Sequence, residues 1–312
     1  MRKHPWWSWA QRLLGLAFLL VVATLLVRYA RTVDWGQVKQ SVLELPREVL
    51  LTAFALAAGA HLMYSLIDLV GRRYTGHRLP KRKVMQVSFI SFAFNLNLGS
   101  LVGGIGFRYR LYSRLGIRYG IITRIVTMSM LTNWLGYILL AGLVFTIAPM
   151  QLPPHWELDN AELQLLGVGL LSCCAVYLGM CAFSPRRSWT VRGQEIELPS
   201  IRMAMCQVGI SSAHWLTLAA VPWVLLQGQV DYATALQVLL MAAIAGVITH
   251  IPGGLGVVEA VFVALLSHRI PEPQLLGALL AYRALFYLIP LAVGALLYLK
   301  VEVRTRKHVP AT

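Results

Sequence analysis

The sequence predicts an all-α polytopic membrane protein of about six full spans plus two re-entrant, broken-helix hairpins, arranged as an inverted-topology repeat. Three observations carry this expectation. The 312 residues are 57% hydrophobic and only 13% charged, whereas soluble domains average roughly 25% charged. Apolar stretches of spanning length follow one another near 13–30, 49–70, 84–106, 120–148, 161–183, 201–227, 233–268 and 274–299. Two of them are interrupted by glycines.

In chain order, Arg2 and Lys3 precede the first stretch, and Arg28 follows it where a cleavable leader would carry small residues, so it is read as a retained span. The second bears His61, Tyr64 and Asp68 at i, i+3 and i+7, one helical face suited to interhelical hydrogen bonds, with Asp68 expected to pair with Arg72 one turn on. The third breaks at Asn95–Ser100 and again at Gly103-Gly104-Ile105-Gly106. Arg124 lies about a turn into the fourth. The seventh is too long for one span and is cut by Pro252, Gly253 and Gly254, so two short helices around a break are expected. The eighth carries Arg283 at mid-span.

Lys and Arg gather on the cytoplasmic side of membrane proteins. If both interrupted stretches enter and return on one side, the cytoplasm holds three such residues before the first span and six from Arg72 to Lys83. It also holds four each from Arg108 to Arg118, Arg186 to Arg202 and Lys300 to Lys307, 21 in all. The outer side holds five: Arg28, Arg31, Lys39, Arg47 and Arg269. A full crossing by the third stretch would move two four-arginine loops outside, so the hairpin arrangement is preferred and both termini are placed in the cytoplasm. Residues 1–312 then form one integral membrane domain, with halves of about 1–150 and 151–312 in inverted topology. LVGGIGFRYR from Leu101 and HIPGGLGVVEA from His250 share a GGxG core in matching places.

The same asymmetry accounts for the net charge of +15 without a nucleic-acid partner. Cys173, Cys174, Cys181 and Cys206 lie in apolar runs with no CxxC spacing and read as packing residues. No metal and no cofactor are expected, His214 and His250 being read as core residues. His155, Glu157 and Asp159 are read as part of a solvated outer linker. HExxH, GxSxG, Walker and dinucleotide motifs do not occur, and no catalytic residue is assigned.

Backbone groups freed at a helix break cannot face lipid, so the breaks must line protein or a polar cavity. The candidate substrate-binding residues are therefore Asn95, Asn97, Gly103, Gly104, Gly253 and Gly254 at the breaks, with Arg108, Arg110, Arg124, Glu259 and Arg283. A Cβ at Gly104 or Gly254 is expected to intrude where a phosphate approaches backbone N–H groups. Glu259 and Arg283 are the natural intramembrane pair, because a lone charge in a bilayer is costly. Arg108, Arg110 and Arg114 form a cluster whose guanidinium forks suit phosphate.

VGGIGFRYRLYSRLG from Val102, TNWLGYILLAG from Thr132, HIPGGLGVVEAVF from His250 and LLAYRALFYLIPL from Leu279 resemble the flippase-like membrane domain of lysylphosphatidylglycerol synthases along essentially the whole chain. The resemblance implies a multi-pass protein of the bacterial inner membrane, related to lipid flippases. Synthase members carry a large soluble aminoacyl-transfer domain for which 312 residues leave no room, so lysyl-lipid synthesis is not expected. The leading reading is movement of an anionic phospholipid or lipid-linked headgroup between leaflets, with membrane phospholipids as partners and protein partners undetermined. The alternatives are an intramembrane lipid-modifying enzyme with Glu259 or Asp68 as general base, and an accessory subunit of a lipid or glycan pathway.

Overall fold

The computed structural model describes residue 31 and residues 33–148, 160–191 and 194–306; the first apolar stretch and the linker holding His155, Glu157 and Asp159 lie outside them. The described chain is helical apart from one short antiparallel hairpin. Its elements are α1 (Trp35–Leu43), α2 (Arg47–Thr75), α3 (Lys81–Leu98), a π-helical segment (Ser100–Gly106), α4 (Phe107–Arg114), α5 (Tyr119–Ile147) and α6 (Asn160–Phe183). There follow β1 (Ser188–Val191), β2 (Gln194–Glu197), α7 (Ile201–Leu225), α8 (Tyr232–Thr249), α9 (Val257–Leu266), α10 (Glu272–Tyr282), a second π segment (Arg283–Leu288) and α11 (Ile289–Arg306).

Six described helices are long and apolar enough to cross a membrane: Arg47–Thr75, Tyr119–Ile147, Asn160–Phe183, Ile201–Leu225, Tyr232–Thr249 and the continuous Glu272–Glu302. The protein is a polytopic helical membrane protein. The fifth of these helices differs from expectation. α8, expected as one of two short arms, has 18 residues, which at 1.5 Å per residue is about 27 Å. The reason is local: Asp231 caps its start by accepting from the Thr234 amide and hydroxyl, no Pro lies in its run, and Gly246 stays helical before His250 turns left-handed at φ 55.

Small residues bring the central helices together, the way helices pack where water supplies no hydrophobic drive. Ala53, Ala57 and Ala60, at i, i+4 and i+7 of α2, are buried. A Cβ on Gly136 of α5 would lie 2.3 Å from the Ser211 hydroxyl of α7, and one on Gly167 of α6 would lie 2.9 Å from the Gly142 carbonyl of α5. Polar side chains complete these contacts. Gln207 of α7 donates to the Thr132 hydroxyl and accepts from Tyr177 of α6. His214 of α7 bonds the Ala60 carbonyl through Nδ1.

In both interrupted stretches the segment after the break packs on the helix before it. The chain reverses at Gly99, whose φ of 83 suits only a residue without a Cβ. The returning segment then lies against α3: Phe107 stacks on Phe94 with ring centroids 4.1 Å apart, and Leu111 and Tyr112 share a core cluster with Val84 and Val87 near the start of α3. The break is narrower than expected. Asn95 and Asn97 remain helical, because α3 runs to Leu98 and the Asn97 side chain donates to the Ala93 carbonyl at 2.8 Å within it. Gly103 and Gly104 lie not in a gap but inside the π segment that packs on α3. In the second stretch the glycines do form the break: Gly253, Gly254 and Gly256 take φ of 66, 54 and 75 between α8 and α9.

Candidate functional site

The second break is held by one arginine. Arg283 donates from Nη1 to the Gly253 carbonyl and from Nη2 to the Gly254 carbonyl, both at 2.7 Å. Its Nε and Nη2 also reach the two Glu259 carboxylate oxygens, at 2.5 and 3.0 Å. The guanidinium carbon sits 4.8 Å from the centroid of the Tyr287 ring. This answers the need set by the sequence. Carbonyls freed by the left-handed turns find a charged donor, and that donor's charge is balanced by a carboxylate in the first turn of α9.

The break also touches the first hairpin. A Cβ on Gly253 would lie 3.1 Å from the Leu96 carbonyl and 3.8 Å from the Asn97 Cα. Asn97 Nδ2 in turn donates to the Tyr287 carbonyl, at 3.3 Å, in the second π segment. The ends of both hairpins and the Arg283 turn therefore meet around Asn97, Gly253 and Tyr287. Around this junction the surface is partly open, with Leu98, Leu101, Val247, Ile248 and Leu255 exposed.

A second ion pair lies elsewhere, between α2 and α4. Arg108 donates from Nε and Nη2 to Asp68 at 3.0 to 3.3 Å and from Nη1 to the Gly104 carbonyl at 3.1 Å. Asp68 accepts further from the Tyr112 hydroxyl at 2.9 Å and the Ser129 hydroxyl at 2.8 Å, and its residue exposure is 0%. The expected Asp68–Arg72 pair does not form: Arg72 donates instead to the Leu79 carbonyl, closing the turn between α2 and α3. A buried carboxylate takes the partner that is itself desolvated and bidentate, and Arg108 is buried where Arg72 is not.

The expected arginine cluster is thus divided. Arg108 is committed to Asp68 and Gly104, while Arg110 and Arg114, one turn apart, bind Glu302 near the end of the last helix. Arg124 lies half-buried near the start of α5. The glycines of the first stretch are not at an open approach either. A Cβ on Gly104 would meet the Asn95 side-chain oxygen at 2.8 Å, and one on Gly103 the Phe94–Asn95 backbone at 2.3 Å, so both face α3 and not an open approach. Gly254 is constrained by its left-handed φ and by Val258 at 3.4 Å. Among the described residues no group of three or more His, Cys, Asp or Glu is placed to hold a metal.

Two contacts escaped sequence reasoning. His61 Nε2 lies 3.0 Å from the Phe286 carbonyl, and Asn97 reaches Tyr287. Pro290 was the available signal, since a proline within a helix deprives the preceding turn of a donor and its ring crowds the carbonyl four residues back.

Residues 12–294 match the lysylphosphatidylglycerol synthase TM region. The chain is 48% identical over 307 residues to inner membrane protein YbhN of Escherichia coli, covering 98% of this chain and 96% of that one. It is 30% identical over 265 residues to an uncharacterized protein of Synechocystis sp., covering 84% and 82%. To a phosphatidylglycerol lysyltransferase of Staphylococcus haemolyticus it is 24% identical over 293 residues, 91% of this chain but 33% of that protein. The chain belongs to the lysylphosphatidylglycerol synthase TM region family.

Proposed function

We propose that the protein resides in the bacterial inner membrane, moves an anionic phospholipid or lipid-linked headgroup between leaflets, and binds it at the junction of the two hairpins. The observation that carries this reading is the Arg283 turn. A guanidinium with 11% side-chain exposure is bonded to the carbonyls of a broken helix and to Glu259, with 15%, at the point where the second hairpin touches the first. A phosphate can compete for such an arginine, because guanidinium binds phosphate oxygens as it binds carboxylate oxygens. When it does, Glu259 and the Gly253 and Gly254 carbonyls lose their donor and the break is free to rearrange. The membrane assignment follows the Escherichia coli relative, and the lipid class follows the lysyltransferase relative, whose name specifies phosphatidylglycerol.

Asp68 is ill-suited to the general-base alternative. Arg108, Tyr112 and Ser129 all donate to it, so its lone pairs are occupied.

The test is purified protein in vesicles carrying labelled phosphatidylglycerol or labelled phosphatidylcholine, followed for leaflet exchange and for chemical conversion. The reading expects protein-dependent exchange of the anionic lipid above the zwitterionic one, with both labels chemically intact. Conversion without exchange would establish the enzyme reading, and neither would leave the accessory-subunit reading.

A further inference from the structure

We propose that His61 is a positioning residue for this site: by bonding the Phe286 carbonyl it holds the last helix in the π register that aims Arg283 at the second break. The proposal deepens the lipid-site reading, but its first test is independent of lipid movement.

Pro290 disturbs the last helix. It has no N–H, and its ring crowds the carbonyl four residues back, which is Phe286. The helix responds by widening into the π segment Arg283–Leu288, with the Ile289 amide bonding the Ala284 carbonyl five residues back. The Phe286 carbonyl, pushed aside, is met by His61 Nε2 at 3.0 Å across 225 residues of sequence. Because the partner is a carbonyl, Nε2 must carry the hydrogen. Nδ1 is then an acceptor, buried and without a partner among the described residues. The imidazole cannot turn away easily, since it lies among Phe286, Phe92 and Phe89 with centroids 4.8, 5.0 and 5.6 Å distant.

The consequence for the site is one of register. Inserting or removing the extra residue of a π turn rotates the side chains before it by about 100° relative to those after it. Arg283 opens the π segment, and it is the residue that bonds Gly253, Gly254 and Glu259. In α register it would be turned off the break. Asn97 fixes the neighbouring Tyr287 carbonyl, so α2, through His61, and α3, through Asn97, together grip the segment that reaches the second hairpin.

Three variants separate positioning from mere stability. His61→Phe keeps the ring and removes the donor, His61→Gln keeps a donor, and Pro290→Ala supplies the missing amide and relieves the crowding. Hydrogen–deuterium exchange in detergent is read on peptides covering 283–289 and 252–259, with α6 as reference. In His61→Phe both peptides should exchange about tenfold faster, the size expected for loss of one buried hydrogen bond, with α6 unchanged; His61→Gln should match wild type. The deciding variant is His61→Phe with Pro290→Ala, which is also the one to use if His61→Phe alone does not fold. Its helix can close in α register, so 283–289 should be protected again while 252–259 stays fast. Recovery of both peptides together in the double variant, or a 252–259 peptide indifferent to both His61→Phe and the double variant, would overturn the proposal. Vesicles of phosphatidylglycerol then test the dependent reading: exchange in the double variant should fall about tenfold. If wild type moves no lipid while the deuterium pattern holds, the transport reading fails and the positioning role stands.

Discussion

Asp68 with Arg108 and Glu259 with Arg283 are built alike and enclosed differently. In each pair a guanidinium takes both oxygens of a carboxylate, through two of its nitrogens, and gives further donors to carbonyls of a Gly-Gly segment: Gly104 in the first, Gly253 and Gly254 in the second. The charges are transposed. The arginine belongs to the hairpin in the first pair, whereas in the second the hairpin supplies the carboxylate and α10 leads into the arginine. The first pair has side-chain exposures of 5% and 0% and two added hydroxyl donors; the second has 11% and 15% and none of these hydroxyls. The same device therefore locks a closed helical return in one place and spans an open break in the other. Low dielectric makes the sealed pair the costlier to disturb, and the partly open pair the easier for a ligand to enter.

The largest effect that sharpens this contrast is in the sealed pair. Asp68→Ala leaves Arg108 buried without its counter-charge and should cost about 3–5 kcal/mol, seen as loss of folded protein or a large drop in melting temperature in detergent. A variant that melts like wild type would show that the pair is not closed. Arg283→Met comes next, because it strands Glu259 and the Gly253 and Gly254 carbonyls together, whereas Glu259→Gln leaves those carbonyls bonded and should cost about 2 kcal/mol. Combining the two should cost less than the sum; strict additivity in melting curves would mean that the side chains do not interact.

Glycine substitutions break the comparison at the backbone. Gly103→Ala drives a Cβ into the Phe94–Asn95 backbone and should cost about 3 kcal/mol. Gly104→Ala meets only a side-chain end that can swing aside, and should cost less. Gly253→Ala carries the strain of a left-handed φ, about 1–2 kcal/mol. A thermal-shift series that ranked Gly253 above Gly103 would reverse the assignment of which hairpin is the tightly packed one. The smallest effect belongs to Arg110→Ala, whose partner Glu302 is kept by Arg114 and whose own side chain is 52% exposed; stability should move by about 0.5 kcal/mol or less.

Much of this was legible in the chain. Hydropathy placed the helices because a bilayer tolerates little else, and the scarcity of membrane charges singled out Glu259 and Arg283 as a pair, which is how they bond. Asp68 was misassigned because spacing sees only partners on its own helix, and Arg108 lies 40 residues away on a segment that has to double back first. The shared GGxG core concealed a difference for a related reason. Gly103 and Gly104 serve close packing on α3 and Gly253 and Gly254 serve left-handed turns, two uses of the missing Cβ that leave the same letters. Pro290 carried a sign of a disturbed last helix that the reading of the eighth stretch passed over, and only the fold could bring His61 to it.

The most direct measurement compares Asp68→Asn and Glu259→Gln in phosphatidylglycerol vesicles, with leaflet exchange expressed per folded molecule and the folded fraction determined separately. If the first pair locks the scaffold and the second forms the site, Asp68→Asn lowers the amount of folded protein but leaves exchange per folded molecule near wild type. Glu259→Gln should remain largely folded and lose most of its exchange. Full exchange by folded Glu259→Gln, or an equal loss per folded molecule in both variants, would contradict the division of roles between the two pairs.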